Sequence, residues 1–180
     1  MLTSALVVAT TQITRTNLTQ NNIAQALLNE HILVSGTSYR LFKQLTDELI
    51  FGKDANQAEV RNKSAIIQQS IAKIIELEER QRQALGEEAT QGSVEDTGAL
   101  AALLDEIISE FRLVIAEQNR SQLQQREKIQ RLLEVTIDNR FREAINTAVN
   151  RQSKVVASLK ARIETLSQPI LWYAILLAIF

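Results

Sequence analysis

Five polar residues stand inside stripes of apolar residues and are the candidates for a binding site in this 180-residue chain. They are Glu30, His31, Ser35, Tyr39 and Arg140. A guanidinium binds a carboxylate through two parallel hydrogen bonds, so Arg140 is suited to a carboxylate or a similar anion. The five residues predict a site for a small polar ligand between helices. The alternative is structural: an internal Glu30–Arg140 ion pair, with Ser and Thr hydroxyls bonded to their own backbone.

Counting along the predicted helices brings these residues together. Arg140 lies about 18 residues from the start of the last helix, and the same distance back from Phe51 reaches Leu33, each about 27 Å of helix. We therefore expect one layer to contain Glu30, His31, Ser35 and Arg140. Taken alone, His31 is better interpreted as a partly buried structural histidine than as a ligand. Gln152, on the stripe of the last helix, is a candidate for a buried residue that sets the register of a dimer.

Four helices, separated by three breaks, have to position these residues. The breaks are Gly52 with Asp54 as an N-cap, the Gly-containing stretch 86–98, and the polar stretch 116–122. The predicted helices are Ser4–Phe51, Asn56–Leu85, Thr97–Glu117 and Ser121–Leu166 or beyond. Each carries apolar residues three or four apart. This pattern predicts an all-α fold, an antiparallel up-down-up-down four-helix bundle with long first and last helices.

Both ends of the sequence are apolar and predict truncated transmembrane helices. Residues 170–180 contain no charge and span about 16 Å, roughly half of a hydrocarbon core. Trp172 and Tyr173 stand where interfacial aromatics are expected. The expected division is 1–12 for the end of a first membrane helix, 13–168 for the bundle and 169–180 for the start of a second. The alternative is that both ends are core segments of a soluble bundle.

Composition excludes several kinds of chemistry. The chain has no Cys and one His, which excludes disulfides and thiolate zinc sites and makes a Ser-His-Asp triad or an imidazole metal site improbable. Its net charge of −1 gives no argument for nucleic acid. No phosphate-binding, dinucleotide or hydrolase motif occurs in the sequence. The charged run 76–82 is interpreted as a solvated helix face with ion pairs. We therefore expect no catalytic residue, no metal and no cofactor.

The order of an apolar entry helix, a long four-helix segment and an aromatic-marked exit helix resembles the sensor module of bacterial transmembrane receptors. Sensor histidine kinases and methyl-accepting chemotaxis proteins both carry such modules. The segments SYRLFKQLTDELIFG and SEFRLVIAEQ look more like a sensor histidine kinase input domain than a chemoreceptor's. The resemblance covers the whole chain and rests on architecture.

The resemblance implies a homodimer in the bacterial inner membrane, held by both termini, with the bundle in the periplasm. A small polar ligand or a periplasmic binding protein would bias the bundle. The last helix would pass a small shift to a cytoplasmic kinase, so this segment itself would not be an enzyme. Two alternatives stay open: a membrane-anchored helical scaffold or oligomerisation module with no small-molecule ligand, and a soluble helical protein whose apolar ends form a core or dimer interface.

Overall fold

Helices form all the regular structure in the described part of the chain. The computed structural model describes the backbone of residues 2–51, 57–116 and 122–179, and the side chains of residues 12–49, 57–87, 90–116 and 127–165. The elements are α1 (Leu2–Phe51), α2 (Gln57–Leu85), the short α3 (Glu87–Thr90) and α4 (Ser93–Ala116). They are followed by α5 (Gln122–Arg131), a π-helical segment (Leu132–Phe141) and α6 (Arg142–Ile179), which together make one uninterrupted helix. Within these ranges there are four long helices and no strand, consistent with the predicted helical bundle.

Alternating spacings of four and three residues build the core. On α4 the buried residues include Leu100, Leu104, Ile107 and Phe111, so one face of the helix is apolar along its length. The same alternation on α1 buries residues 24, 27, 31, 34, 38, 41 and 45. This spacing is typical of helices that pack side by side in a bundle. Each fully buried aliphatic side chain contributes about 1.5–3 kcal/mol to folding.

The stretch 86–98 is more helical than the sequence predicts. We expected a loop there and a third helix from Thr97; the structure has α3 inside this stretch and starts α4 at Ser93. Gly86 and Gly92 provide the turns, with φ angles of 89° and 79°, a region that glycine enters without a steric penalty. The N–H of Asp96 donates to the carbonyl of Gly92 at 3.1 Å and opens α4. A one-residue turn at Gly86 and a two-residue turn at Gln91 and Gly92 therefore replace the expected loop.

The π-helical segment changes which residues of the last helix face the core. The backbone N–H of Arg142 donates to the carbonyl of Ile137, five residues earlier, which is the π pattern. Residues five apart therefore share a face, and the segment buries Leu132 and Ile137. The α-helical stripe that we predicted instead placed Leu133 in the core, and Leu133 is only half-buried.

Both predicted membrane segments are helical in backbone. α1 begins at Leu2 and α6 ends at Ile179. The side chains of residues 1–11 and 166–180, on which the membrane prediction rests, lie outside the described side chains. In the described part of the chain, no helix is both long enough and apolar enough to cross a membrane.

Candidate functional site

His31 occupies a core position of α1. Its side chain is 1% exposed, and its Nδ1 donates to the carbonyl of Leu27 at 2.8 Å. Because a carbonyl oxygen only accepts hydrogen bonds, Nδ1 carries the proton. Ser38, one of the core positions that follow on the same helix, is also buried, whereas Ser35 is half-buried. His31 is thus a buried, hydrogen-bonded histidine, and its predicted role as a ligand residue stays a prediction.

Glu30 and Arg140 hold different partners. The Glu30 carboxylate forms an ion pair with Nζ of Lys73 on α2. Arg140 instead binds Glu106 on α4. The internal Glu30–Arg140 ion pair, the structural alternative from the sequence, is therefore wrong.

The Arg140–Glu106 pair has bidentate geometry. Nη1 and Nη2 of Arg140 donate to Oε1 and Oε2 of Glu106 at 2.6 Å and 2.9 Å. The hydrogen bonds from Arg140 lower the pKa of Glu106, and those to Glu106 raise the pKa of Arg140. Because both side chains are exposed, the pair contributes about 1 kcal/mol or less to stability.

Aromatic contacts set the register between α1 and the last helix. The ring of Phe141 lies edge-on to Tyr39 at 5.4 Å and to Phe42 at 5.2 Å, measured between centroids. Phe42 also stacks on Phe111 of α4 at 6.3 Å. The π-helical segment is therefore level with residues 39–42 of α1 rather than with Leu33.

This register separates the predicted site residues into two groups. Tyr39 lies beside the segment that carries Arg140, while Glu30 lies nine residues earlier, about 14 Å along α1. The residue count from the sequence placed Arg140 level with Leu33, and this prediction failed. The count assumed that the end of the first helix at Phe51 is level with the start of the last helix. Core packing of the aromatic rings sets a different offset.

The surroundings of Tyr39 perturb the pKa of its hydroxyl. Partial burial raises the pKa of its hydroxyl above 10.0. The nearby Arg142 acts in the opposite direction, and Asp138 adds to the rise. Tyr39 is therefore neutral, and its hydroxyl is a donor or acceptor at ordinary pH.

A groove of about 370 Å³ runs between α4 and the π-helical segment, and we call it the α4–π groove. It contains the Arg140–Glu106 pair, and its apolar side chains include the exposed Leu113 and Val135. Its remaining charged residues are Glu110, Lys128 and Arg131. π-helical segments are frequent at functional sites. An anion that approaches Arg140 here has to share or displace Glu106.

A second polar region, the polar layer, was missed from the sequence. It consists of Gln20, Glu78, Gln81, Ser93, Thr97 and Gln152, all buried. Ser93 and Thr97 donate to the same carboxylate oxygen, Oε1 of Glu78, at 2.6 Å and 2.7 Å. The other oxygen, Oε2, has no hydrogen-bond partner among the described residues. Buried polar atoms are usually paired, so Glu78 is an unusual group for a helical core.

Amides complete the polar layer. Gln81 and Gln152 exchange hydrogen bonds, at 3.2 Å from Gln81 to Gln152 and 3.4 Å in return. Gln20 donates to the carbonyl of Ala84 at 2.6 Å. All four long helices therefore contribute a polar side chain to this layer. Gln152 is buried, as expected, but its partner is within the same chain.

The sequence does contain a signal for this layer. On α2, Ile71 and Ile74 are followed at four and three residues by Glu78 and Gln81, which continue the core stripe. The interpretation of 76–82 as a solvated face is thus only partly correct. Arg82 pairs with Glu79 on the exposed side, but Glu78 is 2% exposed.

The described residues hold no group of three or more His, Asp or Glu side chains placed to bind a metal ion. No family model, curated protein or solved structure was found to match this chain. The resemblance to bacterial sensor modules therefore stays a prediction.

Proposed function

We propose that this chain is the extracytoplasmic input domain of a bacterial transmembrane receptor, with a two-component sensor histidine kinase as the first candidate. In this proposal the bundle lies in the periplasm, both termini enter the inner membrane, and the domain itself catalyses no reaction. A small polar ligand or a binding protein shifts the packing of the bundle. The last helix transmits that shift towards a kinase.

The observation that carries this proposal is the joint extension of α1 and α6 past the end of α2. Gln20 and Gln152 contact the last turns of α2. Beyond these contacts α1 runs about 27 Å further to Leu2 and α6 about 40 Å further to Ile179. The two helices that leave the bundle are those that bear the two apolar termini. Such a pair is what a receptor needs to couple a bundle to a membrane.

Contact pairs support an antiparallel arrangement. From Gln20 to Glu30 to Gln44 along α1, the partners on α2 fall from Ala84 to Lys73 to Lys63. From α4 to the last helix, Asp96 pairs with Arg151 and Glu106 pairs with Arg140, again in opposite order. Neighbouring helices with short connections adopt this up-and-down course.

An uncharged face of α1 supports the homodimer. Between residues 16 and 39 the charged or titratable residues are Glu30, His31 and Tyr39. Glu30 and His31 are buried. Exposed positions in this stretch, about 36 Å long, carry Leu18, Ile32 and Leu33 among neutral polar residues. Protein interfaces are depleted of charge at their centre. We propose that this face contacts the same face of a second copy.

Cysteine cross-linking tests the dimer in a chain that has no cysteine of its own. Ile32→Cys should give a disulfide-linked dimer on mild oxidation, because two cysteines join when their Cα atoms lie within about 7 Å. Ile75→Cys on α2 is the matched control, since Ile75 is 51% exposed and Ile32 is 53% exposed. Equal cross-linking at both positions would overturn the α1 interface.

A chimaera tests sensing itself. The chain would replace the input domain of a sensor kinase with a known output, and autophosphorylation would be measured with fractions of small metabolites. Because Glu30 and Arg140 lie at different levels of the bundle, Glu30→Ala and Arg140→Ala each test one position, and a variant should shift the dose response if the ligand binds beside that residue. An output that no metabolite fraction changes would favour the membrane-anchored scaffold instead. Unchanged dose responses in both variants would refute the site but leave sensing intact.

A further inference from the structure

A further groove lies away from every residue discussed as a site so far. It is a groove of about 530 Å³ between the last part of α1, the first part of α2 and the last part of α4, and we call it the α1–α2–α4 groove. Its apolar lining is Leu45, Val60, Ala65, Ile108, Ile115 and Ala116. Pockets that bind small molecules have volumes of about 300–1,000 Å³ and mainly apolar walls.

Two arginines give this groove its charge. Arg61 and Arg112 line it, together with Glu48. Among the residues that the structure describes, neither arginine forms an ion pair, whereas Arg82, Arg140 and Arg151 each bind a carboxylate. A guanidinium is shaped to bind a carboxylate with two hydrogen bonds. The groove thus joins an apolar floor to an excess of positive charge.

A hydroxyl adds an independent observation. Ser64 lines the groove, and its Oγ is buried with no hydrogen-bond partner in the described part of the chain. Buried hydroxyls are usually hydrogen-bonded. Rotation of the Ser64 side chain towards the groove would let a ligand oxygen accept this hydrogen bond.

We infer that the α1–α2–α4 groove binds an amphiphilic monocarboxylate, with the apolar body of the ligand on the aliphatic floor and its carboxylate at Arg61 and Arg112. The α4–π groove also carries cations, Lys128 and Arg131 beside Glu110, but its Arg140 is already bound to the carboxylate of Glu106. This inference goes beyond the proposed receptor function and holds whether or not the bundle signals.

The test uses octanoate as the probe, with acetate and octan-1-ol as comparisons. Binding to the full chain would be measured by isothermal calorimetry. Octanoate should bind more tightly than acetate, which lacks the apolar body, and more tightly than octanol, which lacks the charge. Octanol that binds as tightly as octanoate would overturn the inference, because it would show apolar binding alone.

Single variants locate the site. Arg61→Gln and Arg112→Gln should each weaken octanoate binding about tenfold, the usual loss for a hydrogen-bonded charge. Arg80→Gln, an exposed arginine of α2 outside the groove, should leave it unchanged. Methyl resonances of Ile108 and Ile115 should shift on addition of octanoate. Unshifted methyls, or equal affinity in all three variants, would overturn the inference.

Discussion

Thr97→Val removes one of the two hydroxyls that bond the buried Glu78 carboxylate. Thr97 is 1% exposed and donates at 2.7 Å, so no bulk water replaces the lost donor. A hydrogen bond to a charged group contributes about 1.5–3 kcal/mol. Since valine closely matches the shape of threonine, the packing around Glu78 should be kept. We expect the free energy of unfolding to fall by about 2 kcal/mol, which corresponds to a fall in Tm of about 4–8 °C for a chain of this size.

The assay is thermal unfolding of the full chain followed by circular dichroism at 222 nm. Thr165→Val is the matched control, because Thr165 is exposed, lies outside the proposed α1 interface and donates within its own helix, to the carbonyl of Ala161 at 2.9 Å. The free energy of unfolding of the control variant should stay within about 0.5 kcal/mol of that of the unchanged chain. Thr97→Ser, which keeps a hydroxyl, should recover part of the loss.

A triple variant separates the hydrogen bond from the buried charge. Glu78→Met, Ser93→Ala and Thr97→Val together remove the carboxylate and both of its donors. Replacing both partners of a buried hydrogen bond with apolar groups of similar shape can be nearly neutral or stabilising. Equal Tm shifts for Thr97→Val and Thr165→Val would refute the reasoning. So would a triple variant that is less stable than Thr97→Val alone.

Three further predictions concern the π-helical segment and its neighbours. Arg140→Gln should raise the pKa of Glu106 towards its ordinary value of 4.5, as measured by carboxyl NMR, and an unchanged pKa would show that the pair does not form. The small stabilisation from the pair is present above pH 4.5 and is lost as the pH falls through the lowered pKa of Glu106. Tyr39 should ionise above pH 10.0 in an absorbance titration at 295 nm from which the titration of the Tyr39→Phe variant is subtracted, and ionisation at pH 10.0 would contradict its partial burial. Because the pKa of Tyr39 is raised in the folded state, the free energy of unfolding should fall as the pH rises past 10.0. Phe141→Ala, at a fully buried ring, should lose about 3–5 kcal/mol in urea unfolding, and a loss no larger than that of the exposed Val135→Ala would contradict the packing.

Glycine positions and apolar periodicity predicted the ends of α1 and α2 well. The predicted helix ends at Phe51 and Leu85 agree with the ends of α1 and α2, while the break predicted at Gly52 lies outside the described residues. Glycine is a strong helix terminator, and the chain has only five. The π-helical segment could not be predicted in the same way. A ten-residue π-helix is rare, and both Leu132 and Leu133 are apolar, so an α-helical stripe through Leu133 fits the sequence equally well.

The register between helices was beyond the reach of sequence spacing. Spacing within a helix tells which residues share a face, but it contains no information on how far one helix slides along another. Large side chains decide this, since Phe141 fills the space beside Tyr39 and Phe42. The sequence therefore identified the candidate residues one by one, but the prediction that they lie in one layer of the bundle was wrong.

The polar layer and the α1–α2–α4 groove are joined by the same two helices. On α4, Ile108 lines the groove and Thr97 belongs to the layer, about 16 Å apart along the helix. On α2, Ser64 lines the groove and Glu78 belongs to the layer, about 21 Å apart along the helix. The interior between them is a close-packed aliphatic core, which resists compression and moves in discrete steps. A shift of α4 against α2 at the groove would therefore reach the layer, where it would have to break or re-form the bonds to Glu78.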